Sequence, residues 1–382
     1  MDFPKNFNET DWDKVKKRWE AWWECGIYDR ALLRITAPKI KLTKDNEVNI
    51  NENLYKEGWG SRHAIWELRP EKEKEDNAEI EWLDIDYMIK RSLYEINNTF
   101  YFGESVPIFT TDWTFGHALL FGSKIKKITK DAVWMEPLPL VEDKYPIIEF
   151  NPANYWWNWI QESTTEAVKN SKKYYFVQPA HGANSGDTLG MLVGIEKLLT
   201  HIKDSPDWVK TALETISNVI IDLYDRLFHI INLSGLEGFV NYVGCWSPFK
   251  TITIDCDLGS MISEETHKNI FLPSLIKVMN IAKHRIYHLD GTAQLHLLDT
   301  LLNIKDLHAI QWAPGVGKEE IMQWLPIIEK VQSKKKSIVL YCTSQEVIPL
   351  LKKISPEGLC ISVSCSDEEE ARALIGKVEK LH

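Results

Sequence analysis

The segment Tyr287-His288-Leu289-Asp290-Gly291 carries the pairing of residue types best suited to chemistry in this sequence. His288 and Asp290 lie two residues apart at the end of a strand-like run, so both side chains take one face. A histidine beside a carboxylate there can ligate a metal. It can also work as an acid/base pair in which Asp290 orients the imidazole. A capped turn, with His288 buried and Asp290 as a helix cap, is the structural alternative. Asp255-Cys256-Asp257 forms a second cluster. Its two aspartates share a face, and neighbouring carboxylates raise each other's proton affinity, which suits general acid/base work. A strand-to-helix turn explains the same residues without chemistry. The Gly-rich stretches 181–187 and 314–318 match neither the P-loop nor the dinucleotide fingerprint. They read as loops first and as anion cradles second.

Elements alternating along the chain must position these groups. A helix is expected over 9–26, where Trp12, Val15, Trp19, Trp22 and Trp23 recur at helical spacing. A first strand is expected over 31–37. A polar, Asn- and Lys-rich insertion follows to about residue 78, and 87–102 reads as a helix. Strand candidates then occupy 106–111, 174–179, 236–242, 251–255, 285–289, 307–312, 337–342 and 359–364, separated mostly by helical segments such as 189–233, 263–282 and 367–381. Strand–helix alternation implies a parallel sheet. The count favours a single (β/α)8 TIM barrel with an N-terminal helical extension. The surplus candidate suggests that 236–242 and 251–255 share one βα unit. One domain is expected over 1–382, with 1–105 as extension, first strand and insertion and 106–382 as the main barrel.

A barrel of this kind places reacting groups at the C-terminal ends of its strands. Those ends carry Asp112, His181, Asp255, Asp257, His288, Asp290, Gln311 and Cys365. Trp113, Trp134, Trp246 and Trp312 lie near the same ends or in the loops beyond them. They are candidates for a pocket that holds a quaternary ammonium or an aromatic methyl donor, with core packing as the rival role.

Composition narrows the function classes. The chain has 382 residues, 44% of them apolar, and a formal charge of -10. That charge argues against non-specific binding to nucleic acid or to an anionic membrane. No run of apolar residues is long enough to span a bilayer, and the first residues do not read as a secretory signal. The six dispersed cysteines fit reduced thiols in a cytoplasmic protein.

The order of motifs resembles the uroporphyrinogen decarboxylase superfamily, which includes corrinoid-linked methyltransferases. The likeness runs from about Val106 onward and is strongest after residue 250. Asp255-Cys256-Asp257-Leu258-Gly259, with Ser263-Glu264-Glu265 and Pro273, is similar to that family's D-S-W-A-G…S-P-E…P block. Ser364-Cys365-Ser366-Asp367 falls at its final strand-end loop. The resemblance implies the same barrel. In the methyltransferase branch, zinc is held by an H-x-C pair and a later cysteine. Carried over, the ligand set becomes His288, Asp290 and Cys365, with Asp290 where a cysteine is expected. The decarboxylase branch has an R-Q-A-G-R loop where this chain has Ile35-Thr36-Ala37-Pro38-Lys39, so the resemblance points toward the methyltransferases.

The expectation is a methyltransferase moving a methyl group between a small-molecule donor or a corrinoid protein and a thiol or pterin acceptor. Asp257, Asp112 and His288 are its candidate catalytic residues. Trp113, Trp134, His181, Trp246, Gln311 and Trp312 are its candidate substrate contacts. Zinc is the candidate metal, and a corrinoid enters only through a partner protein. The alternatives are a metal-independent decarboxylase or lyase on a small organic acid, with Asp257 and His288 as the acid/base pair, and a non-catalytic protein that binds a ligand or a corrinoid partner.

Overall fold

A computed structural model describes residues 11–39, 65, 77–111, 113, 116–129, 132–141, 145–180 and 184–381. Most of the polar insertion expected after the first strand lies outside the described residues, as do Asp112 and His181.

Thirteen strands are described. They are β1 (Leu32–Pro38), β2 (Thr99–Gly103), β3 (Ile108–Phe109), β4 (Lys124–Ile128), β5 (Val133–Glu136), β6 (Phe176–Val177), β7 (Phe239–Val240), β8 (Trp246–Ser247), β9 (Thr251–Ile254), β10 (His284–Asp290), β11 (Ala309–Ala313), β12 (Ser337–Tyr341) and β13 (Leu359–Ser364). Seven form one sheet in the order β2-β1-β13-β12-β11-β10-β9. All its pairings are parallel except β1 with β2. Helices Leu272–Met279, Leu298–Leu302, Leu325–Ser333 and Ser344–Leu351 connect the parallel strands in turn, and Glu368–Glu379 follows β13.

The remaining strands pair separately: β3 with β6, β4 with β5, and β7 with β8. The long sheet and these short pairs make a mixed α/β fold, without one continuous ladder of eight strands among the described residues. The expected unit joining 236–242 to 251–255 is split, since β7 pairs antiparallel with β8 while β9 joins the long sheet. The helix expected over 87–102 is also corrected. It spans Ile85–Asn97, is capped at Asn98, and gives way to β2. The aromatic run Thr99-Phe100-Tyr101-Phe102 suits a pleated edge, and β1 supplies the pairing that makes it a strand.

The long sheet has two differently covered faces. Leu33, Ile35, Tyr287, Leu289, Ile310, Trp312, Ile338 and Leu340 pack under the helices in a core whose members run from Ala31 to Val378. The alternate residues form an inner face. At its N-terminal end, helix Trp12–Trp23 lays Val15, Trp19, Trp22 and Trp23 against Leu32, Ile286, Ala309, Val339 and Cys360. Phe176 and Val240, from β6 and β7, pack into the same cluster. The helix begins with Asp11, whose carboxylate accepts from the amides of Asp13 and Lys14. Buried Glu104 then ties the segment to β1. It accepts from Arg18 Nη1 at 2.9 Å, from Arg30 Nη1 and Nη2 at 2.8 and 3.0 Å, and from the Leu33 amide at 2.8 Å. No helix among the described residues is long and apolar enough to cross a membrane.

Candidate active site

The C-terminal ends of β9 and β10 gather the titratable groups. Ile252 and Ile254 point into the helix-side core, so Asp255, continuing the alternation, takes the inner face. It is buried, and its carboxylate accepts a short hydrogen bond from Asn184 Nδ2. Asn184 is also the N-cap of helix Ser185–Val193, accepting from the Asp187 amide at 3.0 Å. One turn into that helix, the Asp187 carboxylate accepts from the amides of Asp257 and Leu258 at 2.9 and 3.0 Å. It thereby fixes the 3-10 turn Asp257–Met261. Cys256 points the other way and is fully buried. Gly186 is small because a side chain there would press on Cys256 Sγ and the Phe271 ring.

Four carboxylates thus share one region, and they do not ionise alike. Loss of water and the charge of Asp255 raise Asp187, against the two amides that favour its anion. Crowding by protein, then repulsion from Asp255, Asp187 and Asp290, raises Asp257 to about 8. Asp257 still has an exposed surface. It is not sealed in a core, so the repulsion from the neighbouring carboxylates is the weightier part of that cause. At neutral pH the cluster retains a proton, and Asp257 is the member that presents it to solvent. Burial, then the charge of Asp187, holds the Cys256 thiol well above its ordinary range. It is a packed thiol and not a nucleophile.

On β10, His288 is buried and Asp290 is exposed. His288 lies opposite Gln311 of β11, and its Nδ1 makes a short hydrogen bond with Gln311 Oε1. An amide oxygen accepts, so Nδ1 carries the proton and Nε2 is the basic nitrogen. Gly291, at φ +74°, turns the chain immediately afterwards, and its amide donates to the Ala313 carbonyl at 2.7 Å. The structure thus brings Asp255, Asp257 and Asp290 within electrostatic reach of one another, and His288 onto Gln311.

The other expected site residues are placed elsewhere. Cys365 follows β13, so β12 and β11 separate it from His288 in the sheet. It is fully buried, and burial followed by Glu370 and Asp367 pushes its thiol up to about 12. Among the described residues no three His, Cys, Asp or Glu side chains are grouped to hold a metal ion. His288, Asp290 and Cys365 as placed therefore do not fit a zinc set. Trp113 is buried against Trp159, with ring centroids 4.9 Å apart and nearly parallel. Trp312 is buried on the helix side, edge-on to Trp324. Trp246 lies at the opposite end of the strands, where its carbonyl accepts from Trp23 Nε1 at 2.8 Å. Trp134 is half exposed on the β4–β5 hairpin under Lys127.

Asn184 and Asp187 are site residues that the sequence reading passed over. Their signal was present: a cap residue and an acid three positions on, directly after a strand. It was read as loop chemistry because the partners, the amides of Asp257 and Leu258, lie far along the chain.

No family model and no curated protein matches the sequence. In fold the chain is similar to a solved methyltransferase from Methanosarcina mazei. The TM-score is 0.57 at 11% identity, and the match covers 96% of this chain and 98% of that one. At this identity the likeness shows a shared fold.

Proposed function

We propose that the chain is a methyltransferase acting on a small molecule at the C-terminal ends of β9 and β10. A closed (β/α)8 arrangement in which β3, β6 and β7 complete the ring is part of this proposal. The observation that carries the reading is Asp257, an exposed carboxyl that crowding by protein and the charges of Asp255, Asp187 and Asp290 keep protonated near neutrality. The likeness in fold to a methyltransferase supports the reaction class.

Breaking a bond from methyl carbon to oxygen or nitrogen leaves an anion or amide that needs a proton. Asp257 supplies it as general acid. The methyl group passes to an acceptor nucleophile, a thiol or a corrinoid carried by a partner protein, and the bonding pair stays with the leaving group. His288, fixed against Gln311 of β11, helps to orient the donor. Asp255, held by Asn184, keeps Asp257 protonated through its charge.

The test is methyl transfer from methylated amines and aromatic methyl ethers to free cob(I)alamin, followed by absorbance. Methyl transfer that falls about 10²- to 10⁴-fold in Asp257→Asn supports the reading. Release of carbon dioxide from a small organic acid, with no methyl transfer to any acceptor, would sink it in favour of a decarboxylase.

A further inference from the structure

Arg34 is a charged residue in the middle of an apolar strand, Leu32-Leu33-Arg34-Ile35. Its neighbours Leu33 and Ile35 belong to the helix-side core, so Arg34 faces inward. On β13, Ile361 and Val363 belong to that same core, and Ser362 faces inward directly opposite Arg34 in register.

The guanidinium is held but not neutralised. Nη1 donates to the Val243 carbonyl at 2.6 Å. Nη2 lies over Gly244, where a Cβ would come within 2.2 Å, so only glycine lets it reach this position. Nε is buried with no hydrogen-bond partner, and Ser362 Oγ is likewise buried and unpartnered. The ionisable groups that act on Arg34 are Cys245, Cys360 and Tyr341; the guanidinium also donates to the Cys360 thiol, and among the described residues it forms no ion pair with a carboxylate. The chain treats its neighbours differently: Arg18 and Arg30 share Glu104. Removing a guanidinium from water without a counter-charge is destabilising, so a retained one points to a charge that arrives from outside. Further round the same face, Gln311 Nε2 is a third buried donor without a partner.

We propose that Arg34 and Ser362 form an oxyanion site on the inner face of the sheet, built for the carboxylate of a small organic acid. With Nη1 occupied by Val243, the Nε–Nη2 edge presents two parallel donors, which matches the two oxygens of a planar carboxylate. Ser362 donates a third bond. This deepens the reading above by naming the substrate class, and it rests on that reading only for the word substrate. Binding is measurable without turnover, so the two can fail separately.

Acetate, sulfate and inorganic phosphate serve as probes of the full-length protein, by thermal shift and intrinsic tryptophan fluorescence. Acetate is expected to raise Tm and to bind at least as tightly as sulfate or phosphate. Its affinity is expected to fall about tenfold or more in Arg34→Met, by a smaller factor in Arg34→Lys, which keeps the charge but loses the paired edge, and about threefold in Ser362→Ala. Cys365→Ser is expected to bind acetate like wild type. Circular dichroism checks that each variant is folded, and Arg34→Lys keeps the test decisive if Arg34→Met does not fold. Equal acetate affinity in Arg34→Lys and wild type, or no stabilisation of wild type by any of the anions, overturns the site. Preference for sulfate or phosphate over acetate by tenfold overturns the carboxylate assignment.

Discussion

Asp257 holds its proton more tightly in the folded chain than an unfolded carboxyl, which ionises near 4. The sign follows directly. A raised acid contributes relative stability below its unfolded range and loses it as pH climbs through about 8. Wild-type Tm should therefore carry a declining contribution between about pH 4 and 8, and Asp257→Asn, which cannot ionise, should remove it. Turnover that depends on Asp257 as an acid should hold below about pH 8 and fall as pH climbs past it. A wild-type profile that stays level to pH 9 would contradict the assignment. Cys365 gives the opposite expectation. Buried and beside two carboxylates, it has no route to a thiolate. Cys365→Ser should keep methyl transfer within about threefold of wild type, as expected for an inert buried thiol, whereas a shared zinc set would make it as damaging as His288→Ala. At this scale the sequence located His288 and Asp290 at the end of β10, because alternation within a strand is local, and put Asp255 and Asp257 just past β9, although Asp257 opens a 3-10 turn and does not continue the strand. It was silent on Gln311 as the partner of His288, because that contact depends on the register of two strands.

The elements carry the site through one capped helix and one turn. Asp187 reaches from the start of helix Ser185–Val193 to the amides that open the turn Asp257–Met261. Asp187→Ala leaves those amides without their acceptor and should cost about 1–3 kcal/mol. It should lower turnover further than that loss of stability explains, because Asp257 is the first residue of the turn. Denaturation and steady-state rates measured on the same preparation separate the two effects. The strands from β9 to β13 were legible to within a residue or two, since each is a short β-branched or apolar run bounded by polar residues. The short pairs were overextended. Only two residues each of β3, β6 and β7 are paired, although the apolar runs that suggested them are longer. β2 was misread because Tyr94, Ile96 and Phe100 continue a helical spacing past the cap at Asn98, and only its partner β1 reveals the change of period.

For the molecule as a whole, the first helix and the last strands form one unit. Ser337 Oγ donates to the Trp22 carbonyl, and the Gly358 amide donates to the Gly26 carbonyl at 2.9 Å. Trp23 stacks on His284 of β10 with centroids 4.3 Å apart. Trp23→Ala should cost about 3–5 kcal/mol, and Glu104→Gln a similar amount, because it leaves Arg18 and Arg30 buried with less than their counter-charge. Folded Trp23→Ala should nevertheless turn over normally, since its contacts lie at the far end of the strands from Asp257. A large fall in kcat with Tm unchanged would contradict that separation. The aromatic spacing of this helix was legible in the sequence, but the surface it covers was not, because its partners come from β10 to β13. The same seam sets an order on biosynthesis. β1 emerges from the ribosome early and finds β2 soon afterwards, but its other edge waits for β13. Until that strand is made, the nascent chain exposes an open hydrogen-bonding edge and a helix face bearing four tryptophans, Trp12, Trp19, Trp22 and Trp23. The hazard is one of timing: slow or paused translation lengthens the exposure, and a holding chaperone that covers this first helix shortens it.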